Sequence, residues 1–255
     1  MNDLLQDSVQ CKIVSMEQED ALQDFGFSPF LQKDRIHIWS AGYDDLQQHF
    51  KSLSSVISPE ERHTASTFRN SVDTRKYILR HGVLRIILGN YTHTDPDLIS
   101  LFNGKNGKPE LDPEGGYTDV SFNLSHTSEM ILIGFTRKHR IGVDIVKMEP
   151  YYQFHEIAEY ILKPGEKAFM QRIEPALRYQ VFFRIWALKE AILKVTGGTL
   201  MMMKNTDMSD IIQDVFSFPC CSMKYLNTHR PFFIWQFNSR PGHYGAIAAD
   251  LGNPL

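Results

Sequence analysis

Cysteine is scarce in this 255-residue sequence. Cys11, Cys220 and Cys221 form an adjacent pair and a singleton. That spacing makes neither a disulfide framework nor a zinc-ligand pattern, so a reducing compartment, the cytoplasm, is the expected setting. Long apolar runs are missing too. None reaches the roughly 18 residues of a membrane-spanning helix. Met1 to Asp24 is polar and mildly acidic, without the basic and apolar blocks of a signal peptide. Positive charge is not in excess: 27 Lys and Arg face 30 Asp and Glu, a net charge of −3. This argues against nucleic acid as a partner. Also absent are a P-loop, G-x-G-x-x-G, G-x-S-x-G, low-complexity tracts and short-period repeats. What is present is ordinary globular usage, 42% hydrophobic and 22% charged. The length suits one large domain or two small ones.

Alternation predicts strands at Arg35–Ser40, Leu98–Phe102 and Val120–Ser125, and a hairpin joining Met130–Phe135 to Ile141–Val146. Residues 1–33 read equally as a loose extension or as a strand with turns. Ser58-Pro59-Glu60-Glu61 carries an N-cap, a first-turn proline and a capping-box glutamate. It predicts helix onward to Gly89, with a break near Asp73, Gly89 as the terminating residue, and Tyr77, His81, Leu84 and Leu88 on the inner stripe. Phe154–Leu162, Pro164–Arg172 and Pro175–Thr196 read as helices, the last the longest. Four β-like runs close the chain, around Ile211–Phe218, Ser222–Leu226, Phe232–Phe237 and Tyr244–Asp250. Each half thus offers helices and then strands, with the switch near residue 147. The expected class is α+β, with two similar halves packed together.

Four places could carry chemistry. On the helix ending at Thr196, Val181, Ile185, Leu188, Ile192 and Val195 form one buried stripe. Glu190 falls on the opposite side, near Phe183, Trp186 and Lys194. A solvated face is the bland reading; two large aromatics there point instead to more protein or a cleft, and a carboxylate in such a place is a candidate ligand or base. Asp144 lies on an apolar strand, either bonded to backbone amides or serving as a hard oxygen ligand for Mg²⁺. Asn123-Leu-Ser-His126 ends a strand with a histidine that is either structural or a donor to phosphate. Gly107-Lys108-Pro109 reads as a turn. Arg75 and Lys76 sit in a first helical turn, where the helix dipole disfavours cations, a hint of an incoming anion.

Together these segments resemble the 4′-phosphopantetheinyl transferases of the surfactin-synthetase-activating type. Trp186-Ala-Leu-Lys-Glu-Ala-Ile-Leu-Lys194 is similar to the family's Trp-x-x-Lys-Glu-x-x-x-Lys helix. Gly142-Val-Asp144 resembles its Gly-(Val/Ile)-Asp-x-Glu strand, Asn123–His126 its Asn-(Ile/Leu)-Ser-His segment, Gly107–Pro109 its Gly-Lys-Pro turn, and Asp73–Arg80 its basic helix start. All five occur in order over roughly residues 58–200. The resemblance implies halves related by a pseudo-twofold axis, each a small antiparallel sheet packed with helices. The expected division is 1–146, holding the adenosine and phosphate side of the coenzyme A site, and 147–255, holding the catalytic acid. It implies transfer of 4′-phosphopantetheine from coenzyme A to a serine of an apo acyl or peptidyl carrier protein, by a cytoplasmic monomer, with release of adenosine 3′,5′-bisphosphate. Asp144 and Glu190 would hold Mg²⁺, and Glu190 or a water it polarises would take the serine proton. Lys189 and Lys194 would neutralise phosphate oxygens. Arg75 would contact the adenosine end, Lys108 and His126 the 3′-phosphate or pyrophosphate, with Pro109 and Ser125 beside them. One departure stands out: the family's second strand acid is Val146 here. A Mg²⁺-dependent phosphohydrolase and a carrier-binding homologue without turnover are the alternatives.

Overall fold

The computed structural model describes residues 10–15, 31, 35–104, 107–117, 119–149, 154–209, 211–212, 221–224 and 232–250. The first half contains β1 (Gln10–Ser15), β2 (Arg35–Gly42), the short helices α1 (Tyr43–Leu46) and α2 (Phe50–Ser55), α3 (Pro59–Ser66) and α4 (Ser71–Thr92). These are followed by a small hairpin, β3 (Leu101–Asn103) and β4 (Pro109–Leu111), and by β5 (Val120–His126) and β6 (Met130–Arg137). After the turn at 138–139 come β7 (Arg140–Lys147), α5 (Phe154–Ile161), α6 (Pro164–Arg172), α7 (Arg178–Thr196), β8 (Cys221–Lys224), β9 (Phe232–Arg240) and β10 (His243–Asp250).

The strands form two four-stranded sheets, ordered β1-β2-β6-β5 and β7-β10-β9-β8. Among the described residues only β1 pairs in parallel; every other ladder in these sheets is antiparallel. Each half repeats one connectivity: a strand, a helical stretch, then a hairpin whose later strand takes the centre beside the first (β2-β6-β5 and β7-β10-β9). This is the α+β, two-half architecture that the sequence pattern predicts.

Four packed clusters explain the layers. α4 lays Leu79, Val83, Leu84, Ile87 and Leu88 on Trp39, Ile131, Ile133 and Phe135 of the first sheet. α7 lays Leu188, Ala191, Ile192 and Val195 on Tyr244, Ala246 and Ala248 of the second. The inner faces of the two sheets meet through Ile36, Ile38 and Leu132 against Ile141, Val143, Ile145 and Ile247. The last cluster joins α5, α6 and α7 around Phe182 and Ile185. All five residues of the α7 stripe are buried, each contributing roughly 1.5–3 kcal/mol of transfer free energy.

Several expectations are corrected, among them the strand expected at Leu98–Phe102, which is confined to Leu101–Asn103 with Leu98 closing a 3₁₀ turn. β6 and β7 do not form a hairpin. Both edges of β6 are already taken by β2 and β5, so β7 crosses to the other sheet and pairs with β10. The helical break falls at residues 67–70, where the Asn70 side chain caps α4 by accepting from Val72 N–H. α4 also runs past Gly89 to Thr92, with His93 in the left-handed region (φ 54°); at 22 residues it, not the 19-residue α7, is the longest helix. Gly89 is there because Thr94 O would lie 2.7 Å from a β-carbon. The β-like run at 211–218 lies mostly outside the described residues; Ile211 and Ile212 are in a turn.

Candidate active site

A cleft of about 490 Å³ opens between the halves. α4 supplies Tyr77, Arg80, His81 and Leu84, and the β3–β4 turn supplies Gly107, Lys108 and Pro109. β5 adds Asn123, Leu124 and His126, and the end of α7 adds Leu193, Lys194, Gly197 and Gly198. Gly197 stops α7 by adopting φ 68°, which glycine does without penalty.

β5 and β7 are the facing edge strands of the two sheets, and side chains join them in place of a ladder. Asn123 Oδ1 accepts from Val143 N–H at 2.8 Å. Ser125 Oγ donates to Asp144 Oδ1 at 2.8 Å and accepts from Ile145 N–H at 3.4 Å. Strand alternation does the sorting: Phe122 faces the core under α4, while 123 and 125 face β7. On β7, Gly142 lets α7 come close, since a β-carbon there would sit 2.0 Å from Ala191 O. That contact brings Asp144 to the final turns of α7. Lys194 Nζ donates to Asp144 Oδ1 at 2.8 Å and to Val143 O at 2.9 Å. Lys194 also lines the cleft, so one ammonium joins the cleft to the buried Asp144.

Desolvation dominates the electrostatics around the cleft. Desolvation raises Glu190 above the usual carboxylate range, and the charge of Asp144 raises it further, against Lys194. Burial pushes Lys108 down to about 8; Glu110 opposes this, while Lys194 and Arg140 add to it. Its Nζ donates to Ile141 O at 3.3 Å. His126 is held below the ordinary imidazole value by desolvation first and then by Arg80, though its ring reaches solvent, which screens part of the effect.

Asp144, Ser125 and Glu190 are not among the residues that line the cleft, and two further expected site residues stand elsewhere. Lys189 is fully buried and donates to Glu166 Oε2 at 2.7 Å and to Ile161 O at 3.1 Å. It fastens α7 to α6 and does not line the cleft. Arg75 is exposed, with its guanidinium 3.9 Å from the centre of the Phe50 ring and its Nε donating to Gln47. Arg80 and His81 occupy the cleft wall that Arg75 was expected to reach. The readable signal was the Tyr77–His81 stripe: at 100° per residue Arg80 flanks it, while Arg75 lies well round the helix.

Asp144 and Glu190 fit a divalent cation as a pair. The two carboxylates feel each other's charge, which adds to the raised basicity of Glu190, and Mg²⁺ binds through one or two carboxylates plus substrate phosphates and water. No third acid joins them: among the described residues no cluster of three or more His, Cys, Asp or Glu occurs. Val146 packs into the core under α7. Glu149 is 63% exposed and pairs with Lys147. Nor is any described helix long and apolar enough to cross a membrane.

Comparison with known proteins covers both halves of the chain. Residues 140–248 match the model of the 4′-phosphopantetheinyl transferase superfamily, and residues 41–136 match that of a 4′-phosphopantetheinyl transferase N-terminal region. The 4′-phosphopantetheinyl transferase HetI of Nostoc is 26% identical over 179 residues, 70% of this chain and 76% of the relative. A Synechocystis protein, slr0495, named as a candidate 4′-phosphopantetheinyl transferase, is 30% identical over 199 residues, 78% of this chain and 76% of its own length. A 4′-phosphopantetheinyl transferase of Bacillus subtilis is 25% identical over 210 residues, covering 82% and 87%. With both halves matched in order around the cleft they share, this chain belongs to the 4′-phosphopantetheinyl transferase superfamily and is a transferase.

Proposed function

We propose that the protein transfers 4′-phosphopantetheine from coenzyme A to a serine hydroxyl of an apo acyl or peptidyl carrier protein, releasing adenosine 3′,5′-bisphosphate. The observation that carries this reading is Lys194, which lines a cation-walled cleft and holds the carboxylate beside Glu190. Lys108, Pro109 and His126, with Arg80 and His81, take the phosphates at the adenosine end of coenzyme A. Phosphate restores full charge to Lys108, offsetting the cost of its burial. Glu190 removes the serine proton directly or through water. The serine oxygen bonds to the phosphorus that carries pantetheine, and the bond from that phosphorus to the bridging pyrophosphate oxygen breaks. Lys194 stabilises charge on the leaving phosphate. Mg²⁺, held by Asp144 and Glu190, would offset charge on the pyrophosphate oxygens when bound.

The carrier serves fatty-acid, polyketide or non-ribosomal peptide assembly, and the protein acts as a cytoplasmic monomer. We place the boundary between the halves in the turn at 138–139 rather than after residue 146, because β7 ladders with the second sheet. The reading is tested by mass spectrometry of apo carrier proteins incubated with the protein, coenzyme A and Mg²⁺. A mass gain of one phosphopantetheine on the carrier serine is expected. No gain on any carrier from these three assembly systems would overturn it.

A further inference from the structure

Asp144 is not a free ligand. Both contacts that hold its carboxylate go to one oxygen, Oδ1: Ser125 Oγ at 2.8 Å and Lys194 Nζ at 2.8 Å. Lys194 is additionally seated on Val143 O at 2.9 Å, and its side chain is 25% exposed, opening on the cleft. The ammonium therefore pairs with Asp144 while it also stands within the wall that a polyanion would meet. We propose that Lys194 is a resident counter-ion that keeps a divalent cation out of the Asp144–Glu190 pair until an anionic substrate draws its ammonium into the cleft. Binding is then ordered by charge: the nucleotide end first, the cation second. The inference rests on the reading of these two carboxylates as the cation pair.

A dication approaching Asp144 meets a like charge at contact distance, in a partly buried setting where such repulsion is weakly screened. Once phosphate takes the ammonium, the same lysine no longer opposes the cation, and substrate and cation become coupled through it. Ser125 bonds the same oxygen but carries no charge, so its loss leaves the barrier standing.

The test is Mn²⁺ binding, followed by the loss of the free-ion paramagnetic resonance signal, to wild type, Lys194→Met, Lys194→Gln and Ser125→Ala, each with and without coenzyme A. Wild type is expected to bind Mn²⁺ weakly alone and at least about tenfold more tightly with coenzyme A. Both Lys194 variants should bind it alone about tenfold more tightly than wild type and lose most of that coupling. Ser125→Ala should retain it. Thermal melts establish that each variant is folded. Unchanged or weaker Mn²⁺ binding by both folded Lys194 variants overturns the proposal, as does Mn²⁺ binding by none of the proteins even with coenzyme A. The transfer reading fails separately, by absence of carrier labelling with the wild type.

Discussion

The two halves begin from nearly the same strand and end with different chemistry. β2 opens Arg35-Ile-His-Ile-Trp39 and β7 opens Arg140-Ile-Gly-Val-Asp144. In the first half, the Tyr91 hydroxyl of α4 lies 2.7 Å from His37 Nδ1 and accepts from Trp39 Nε1 at 3.0 Å. Large aromatic groups fill the space between helix and strand. In the second, glycine replaces the histidine and the helix backbone moves onto the strand. The fifth position is then free to hold a carboxylate against Lys194. Both halves keep the same frame. Pro59 and Pro164 start helices whose third residues, Glu61 and Glu166, bond back to the Ser58 and Lys163 amides and pair with Arg85 and Lys189 on the next long helix. One scaffold thus carries a plugged site and an open one, and the ion pairs that the two halves share, Glu61–Arg85 and Glu166–Lys189, belong to the scaffold.

The largest effect should come from attacking that frame. Lys189→Met leaves Glu166 charged and fully buried with only backbone amides, so a loss of about 3–5 kcal/mol is expected in denaturant unfolding. Were Lys189 a phosphate ligand instead, stability would hold and coenzyme A affinity would drop. Next is the chemistry peculiar to the second half. Glu190→Gln should keep its melting temperature and lose on the order of 10² or more in transfer rate; near-normal turnover by the folded variant would remove Glu190 from its role. A smaller effect separates the two basic candidates of the first half. Lys108→Ala should raise KM for coenzyme A about tenfold with little change in kcat, while Arg75→Ala should leave both within about twofold. Equal losses in titration would put Arg75 back at the site.

The smallest is a pH dependence. Lys108 sits at about 8 when free, and a bound phosphate raises it. Its contribution to coenzyme A affinity is therefore complete below about pH 8 and declines as pH rises from there towards the bound value, by at most about one decade per pH unit. Titration calorimetry across that range should show this decline. Lys108→Arg, which stays charged, should flatten it. A wild-type affinity constant through pH 9 would contradict the assignment.

Much of this was legible beforehand, because periodicity and capping act over short stretches. The capping box at Ser58, the buried stripe of α7 and the place of Glu190 opposite it could all be read from neighbours three or four residues away. The pairing of β7 could not. Adjacent strands joined by a short turn ordinarily form a hairpin, and nothing local shows that β6 has both edges occupied by strands from elsewhere. Lys189 was misplaced for the same reason: its partner Glu166 is 23 residues away on another helix, and a helical wheel shows only direction. The double use of Lys194, cleft wall and partner of Asp144, depends on an approach that Gly142 permits but does not announce.

The edges of the two sheets meet through Asn123 and Ser125 rather than through a backbone ladder. A ladder is indifferent to side-chain identity, so its spacing resists point substitution. A seam made of two side chains does not. A substitution at either position acts on that edge alone, while the apolar contact between the inner faces of the sheets and the core of each half are kept. The part of the molecule that must accommodate its substrates is in this way the part most open to gradual inherited adjustment.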